Sequence, residues 1–154
     1  EVLVAACGVQ LADEQRLFSQ TYLNQPLHAY QVSSRPLPAA EKLAEVGSMA
    51  ALAASYLPHF FGAVVKLLGN IQRSAVIFTA TRALQKYFRR IGVALTALET
   101  AQISALPESV RELWGSYYQH QPVVLAGWLT QGSVFEQLAT TPVAAATKLP
   151  EARV

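Results

Sequence analysis

The chain has 154 residues, 52% of them hydrophobic and 14% charged, with a formal net charge of +2. This length fits one domain, and the composition excludes a disordered chain and, with so small a charge, a phosphate-neutralising nucleic-acid surface. A lone cysteine, Cys7, excludes an intrachain disulfide or a multi-cysteine zinc site, and no apolar stretch reaches the roughly 20 residues of a membrane span.

Glu1 to Leu11 alternates weakly and is rich in Val and Leu, which predicts a strand, with Cys7 as a small buried hydrophobe. The chain opens on Glu1 in mid-strand, with no charged-then-apolar leader. The natural protein is therefore expected to extend upstream and to be cytoplasmic. Asp13 can cap a helix carrying Leu17, Phe18, Thr21 and Tyr22 on one side, ended by Asn24-Gln25-Pro26. His28 to Ala40 reads as a mobile loop.

Lys42 to Val46 predicts a short strand broken at Gly47, followed by a loop of small residues to Ala54. Ser55 is a good N-cap, with Pro58 in the first turn, for a helix to about Gln72. That helix is apolar nearly all round, so cover on two sides is expected. Ala75 to Ala80 is a continuous apolar strand, Thr81 to Ile91 a helix stopped by Gly92, and Val93 to Leu98 another strand. Strands separated by single helices predict an α/β fold with parallel pairing around a strand–helix–strand–helix unit. Pro107-Glu108 opens a short helix, Trp114-Gly115-Ser116-Tyr117-Tyr118 forms an aromatic turn, and Val123 to Leu129 is a strand. Residues 1–130 make one domain; residues 131–154 read as one loose helical turn, Phe135 to Leu138, in an Ala/Thr/Pro-rich tail.

His28, His59 and His120 are isolated, so no metal site is expected. Gly47-Ser48 lacks the second glycine of a nucleophile elbow and reads as a turn. Glu45 ends its strand just before a helix N-terminus, a place suited to a developing oxyanion or a phosphate. There its carboxylate can take a proton from an amine or hold an ammonium group; equally, it can cap or pair locally.

Glu45-Val46-Gly47-Ser48-Met49-Ala50, Val76-Ile77-Phe78-Thr79-Ala80-Thr81-Arg82, Trp114 to Tyr118 and Pro122 to Gly127 occur in that order. Leu17-Phe18, Tyr22-Leu23 and Pro26 precede them. In this arrangement the sequence resembles the thermostable hemolysin family over about Val2 to Leu129. The resemblance implies the fold of GNAT N-acyltransferases and acyl-homoserine-lactone synthases, a mixed sheet with helices on both faces, here without an N-terminal part.

It further implies transfer of an acyl group from a thioester to a small amine acceptor, with no tightly bound cofactor. The donor is acyl-CoA or the phosphopantetheine of an acyl carrier protein. In those terms Glu45 is the base or ammonium holder, and Val46, Gly47, Ser48, Met49, Thr79, Thr81 and Arg82 hold the donor. Tyr22, Trp114, Tyr117 and Tyr118 shape the acceptor side, or else anchor the core. The glycine-rich diphosphate loop of coenzyme-A users is not visible between Met49 and Ala54, and the tyrosine that often protonates the leaving thiolate falls on Phe88, with Tyr87 on another helical face. Arg82, Lys86, Arg89 and Arg90 form either a docking face for an acidic carrier protein or a solvated helix face. Two other readings stand beside transfer: membrane activity through the helix Tyr56 to Gln72, and a catalytically degenerate binding module.

Overall fold

The computed structural model describes residues 1–140. The strands are β1 (Ala5–Leu11), β2 (Gln31–Val32), β3 (Arg35–Pro36), β4 (Leu43–Ala51), β5 (Ala75–Ala80), β6 (Thr96–Thr100) and β7 (Val123–Trp128). The helices are α1 (Leu57–Asn70), α2 (Arg82–Ile91), α3 (Glu108–Arg111) and α4 (Ser133–Thr140). Five strands form one sheet in the order β1-β4-β5-β7-β6, and β2 pairs with β3 apart from it. β4 and β5 are parallel and the other pairs antiparallel, so β4–α1–β5–α2 is the expected strand–helix–strand–helix unit in a mixed sheet.

The strand expected at Val93 to Leu98 starts later, at Thr96, and does not neighbour β5. β7 lies between them, because its Val124 to Gly127 is buried throughout while β6 alternates with solvent. Along β5, Ala75 and Ile77 join one core with Leu43, Val124 and Ala126; Phe78 and Ala80 face the other way. α1, α2 and α4 cover that second face. Short 3-10 turns and the β2–β3 hairpin cover the first.

Gly47 does not break its strand. β4 runs to Ala51, and the register against β1 slips between Ala6 and Gly8, with Ser48 at φ +50° on the opposing β4 stretch. Such a bulge bends and twists the strand that carries it. On its other side β4 pairs with β5 only at Leu43–Ala75, Ala44–Val76 and Glu45–Ile77, while β5 stays paired to β7 as far as Ala80. The two parallel strands therefore diverge just beyond Glu45.

Four further elements differ from expectation. Asp13 caps no helix; its Oδ1 accepts a 2.6 Å bond from Arg73, and a 3-10 turn, Phe18–Tyr22, stands where a helix is predicted. The segment 28–40 is anchored rather than loose: Val32 and Leu37 are core residues, and Trp128 Nε1 donates to the Val32 carbonyl at 2.9 Å. Its tight turn puts Ser33 and Ser34 at φ +51° and +66°, the backbone a two-residue hairpin demands and serine seldom advertises. Ser55 lies in a 3-10 turn and provides no cap, and α1 is covered on one side only: Leu57, Phe61 and Leu68 are buried, Leu67 and Ile71 exposed. The turn expected at Phe135 is a full helix, α4, held by burial of Phe135 among Phe61 and Phe88. The remainder of the predicted tail, 141–154, lies outside the described residues.

Candidate active site

The divergence of β4 and β5 opens a cavity of about 660 Å³. Glu45 and Thr79 line it from one face of the sheet, Phe61 and Phe88 from the other, so the space passes through the gap between the strands.

Glu45 is 4% exposed, and both carboxylate oxygens are occupied. Oε1 accepts the Phe18 amide at 2.7 Å, and Oε2 accepts the Ser19 amide at 2.8 Å. The Phe18 amide is shared with Gln10 Oε1 at 3.2 Å. Glu45 thus caps the 3-10 turn Phe18–Tyr22 from a distant strand. Burial pushes its pKa above the usual carboxylate range, and the bonds from Ser19 and Phe18 pull against that. Beside it the Ser19 and Thr79 hydroxyls are 2.9 Å apart, with Ser19 fully buried.

An aromatic wall lines the Glu45 side. Phe18 stacks on Trp114 with ring centres 5.4 Å apart, and Trp114 meets Tyr117 at 5.2 Å. Behind them the Tyr22 and Tyr118 hydroxyls bond at 2.6 Å. Burial keeps these phenols neutral: Tyr117 is pushed up to about 12, and Tyr22 is raised by burial and by its bond to Tyr118.

Of the residues expected at a site, Glu45, Val46, Gly47, Ser48, Met49, Thr79, Trp114 and Tyr117 line the cavity. Tyr22 and Tyr118 stand behind the wall. Thr81 is buried at the start of α2, and Arg82 is exposed, neither of them on the cavity. Val46 to Met49 do not precede a helix as a loop; they belong to β4. Lys86, Arg89 and Arg90 join Arg82 on the exposed side of α2, while Leu84 and Phe88 face inward.

Sequence reasoning missed Phe18, Ser19 and Gln10 around the carboxylate; a Gln inside an apolar strand was the one available signal. It also missed the aromatic trio Phe61, Phe88 and Phe135, whose residues are remote in the chain. Tyr87 does not line the cavity; its hydroxyl is buried without a partner, and burial pushes its pKa up to about 12. Among the described residues no group of three His, Cys, Asp or Glu side chains gathers where a metal could sit, and no helix is long and apolar enough to cross a membrane.

The sequence matches the family described as thermostable hemolysin over residues 1–133. The chain belongs to that family. No curated protein matches it. Among solved structures, this hemolysin-family chain is similar to TofI in a ternary complex with an inhibitor and MTA, at 12% identity and a TM-score of 0.57. That match covers 86% of this chain and 62% of TofI. It is also similar to MesI, a CoA-dependent acyl-homoserine lactone synthase, at 16% identity and a TM-score of 0.57, over 92% of this chain and 65% of MesI. The hemolysin-family chain thus spans just under two thirds of the length of each, and it shares their fold.

Proposed function

We propose that this protein is an N-acyltransferase that moves an acyl group from a thioester to a small amine. The observation that carries this reading is the end of β4–β5 pairing at Glu45–Ile77, which leaves a buried carboxylate at the apex of an open cleft.

The backbone of β4 from Val46 to Met49, unpaired on its β5 side, supplies polar groups to the donor's arm and thioester carbonyl. The amine enters beside Trp114 and Tyr117, and its nitrogen attacks the carbonyl carbon. Glu45, with its pKa raised by burial, takes the amine's proton; each of its oxygens keeps a lone pair beyond the amide bond it already accepts. The tetrahedral intermediate collapses and the C–S bond breaks. A thiol with an ordinary pKa near 8.5 departs as thiolate without a dedicated acid, which suits Phe88 standing where a tyrosine would serve.

Among the described residues, Glu45 is the one charged side chain on the cavity wall, so the cavity itself offers a diphosphate no cation. Positive charge lies outside, on Arg82, Lys86, Arg89 and Arg90. This arrangement favours a donor delivered by an acidic acyl carrier protein, with acyl-CoA as the alternative. Purified protein would be offered acyl-carrier and acyl-CoA thioesters with a pool of amines, and thiol release followed. The expected result is amine-dependent release that Glu45→Ala abolishes. No release, or release indifferent to that substitution, would defeat the reading.

A further inference from the structure

The cavity changes character as it crosses the sheet. On the Glu45 side its wall carries Ser19, Thr79 and Tyr117. On the helix side every residue that α1, α2 and α4 contribute is apolar, and the Phe61, Phe88 and Phe135 rings converge there with centres 5.1 to 6.3 Å apart. A cleft serving only an acetyl group would need no such chamber.

We infer that this half of the cavity holds a hydrocarbon tail much longer than acetyl, and that α4 decides how long. Phe135 forms the end wall. Gly132 sets the width: a Cβ there would lie 2.6 Å from Val65 Cγ2, and Val65 itself lines the cavity. Gly132→Ala must therefore displace Val65 and, with both residues on the cavity wall, narrow the chamber. Phe135 is 4% exposed and packs in the core on the helix side of the sheet, the face opposite Glu45, so it acts on substrate length without touching the reacting carbonyl.

The inference rests on the acyl-transfer reading for its choice of ligand, but tail binding is measurable without transfer. Butanoate, octanoate and dodecanoate would be titrated into the full chain by calorimetry. Burial of each further methylene is expected to tighten binding about fourfold until the tail meets Phe135. Phe135→Leu, or Phe135→Ala where it folds, moves that limit to longer tails, and Gly132→Ala moves it to shorter ones. Affinity independent of length, or a limit moved by neither substitution, would overturn the inference. Length-dependent binding without thiol release would instead sink the transfer reading and leave the chamber standing. Acetyl transfer at full rate with no length preference would do the reverse.

Discussion

The Oε2 atom of Glu45 accepts the backbone N–H of Ser19 at 2.8 Å, joining the last residue of β4 that pairs with β5 to a turn that lies 26 positions earlier in the chain. The same carboxylate therefore shapes the cleft and supplies its titrating group, and the two roles can be separated.

Glu45→Gln keeps the size of the side chain but presents an amide nitrogen to one of two backbone donors. That leaves a buried N–H unsatisfied and should cost about 1–3 kcal/mol of stability in denaturant titration. If the carboxylate is the base, thiol release should fall by roughly 10²–10⁴, far more than the fraction unfolded explains. Stability lost with transfer intact would make Glu45 a cap alone.

Acid titration should show two opposed contributions. Glu45 has its folded pKa raised by burial, so the folded state binds its proton more tightly than the unfolded chain, whose value is near 4.3. Its contribution to stability is highest below the unfolded pKa and declines as pH rises through the folded one. Asp13 is the opposite case, its pKa lowered by the hydrogen bond from Arg73. Its contribution is present above the unfolded pKa and is lost as pH falls through the folded one. Melting temperatures across this range should lose the first slope in Glu45→Gln and the second in Asp13→Asn.

The bulge offers a test of the cleft's wall. A Cβ on Gly47 meets nothing within 4 Å, so Gly47→Ala should fold at least as well, with a gain of up to about 0.4–1 kcal/mol. Because Gly47 lines the cavity, the same methyl should raise KM for the thioester. Ser48→Val places a β-branched residue at φ +50° and should cost about 1–2 kcal/mol or more.

Charge reversal on α2 should identify the donor. Arg89→Glu with Arg90→Glu alters the exposed face and leaves Leu84 and Phe88 in place. A carrier-protein donor predicts a raised KM and a weaker salt dependence for acyl-carrier substrates, with acyl-CoA unaffected. Equal effects on both donors would count against docking there.

β5 and β7 were legible to within a residue because continuous apolar runs such as Ala75 to Ala80 leave little choice of structure. A change in the strand near Gly47 was legible, and it takes the form of a bulge and the end of β4–β5 pairing. The strand past Gly47 was not, because a bulge depends on the partner strand that accommodates the extra residue. Nor was the order of strands: β7 takes the interior place between β5 and β6 through burial, a property of the assembled sheet. The 3-10 turn at Phe18 was hidden because the carboxylate that accepts its first amides sits on β4, remote in the chain. The hairpin at 31–36 was hidden because Ser33-Ser34 lacks the Asn or Gly that usually marks a positive-φ turn.

A cavity that pierces the sheet has a kinetic consequence. In the transfer proposed, amine and acyl tail occupy opposite sides of one layer and meet only at its gap, so neither substrate blocks the other's approach. Initial-rate plots against both concentrations should then intersect, as a ternary complex requires, and parallel lines would point to a covalent enzyme intermediate instead.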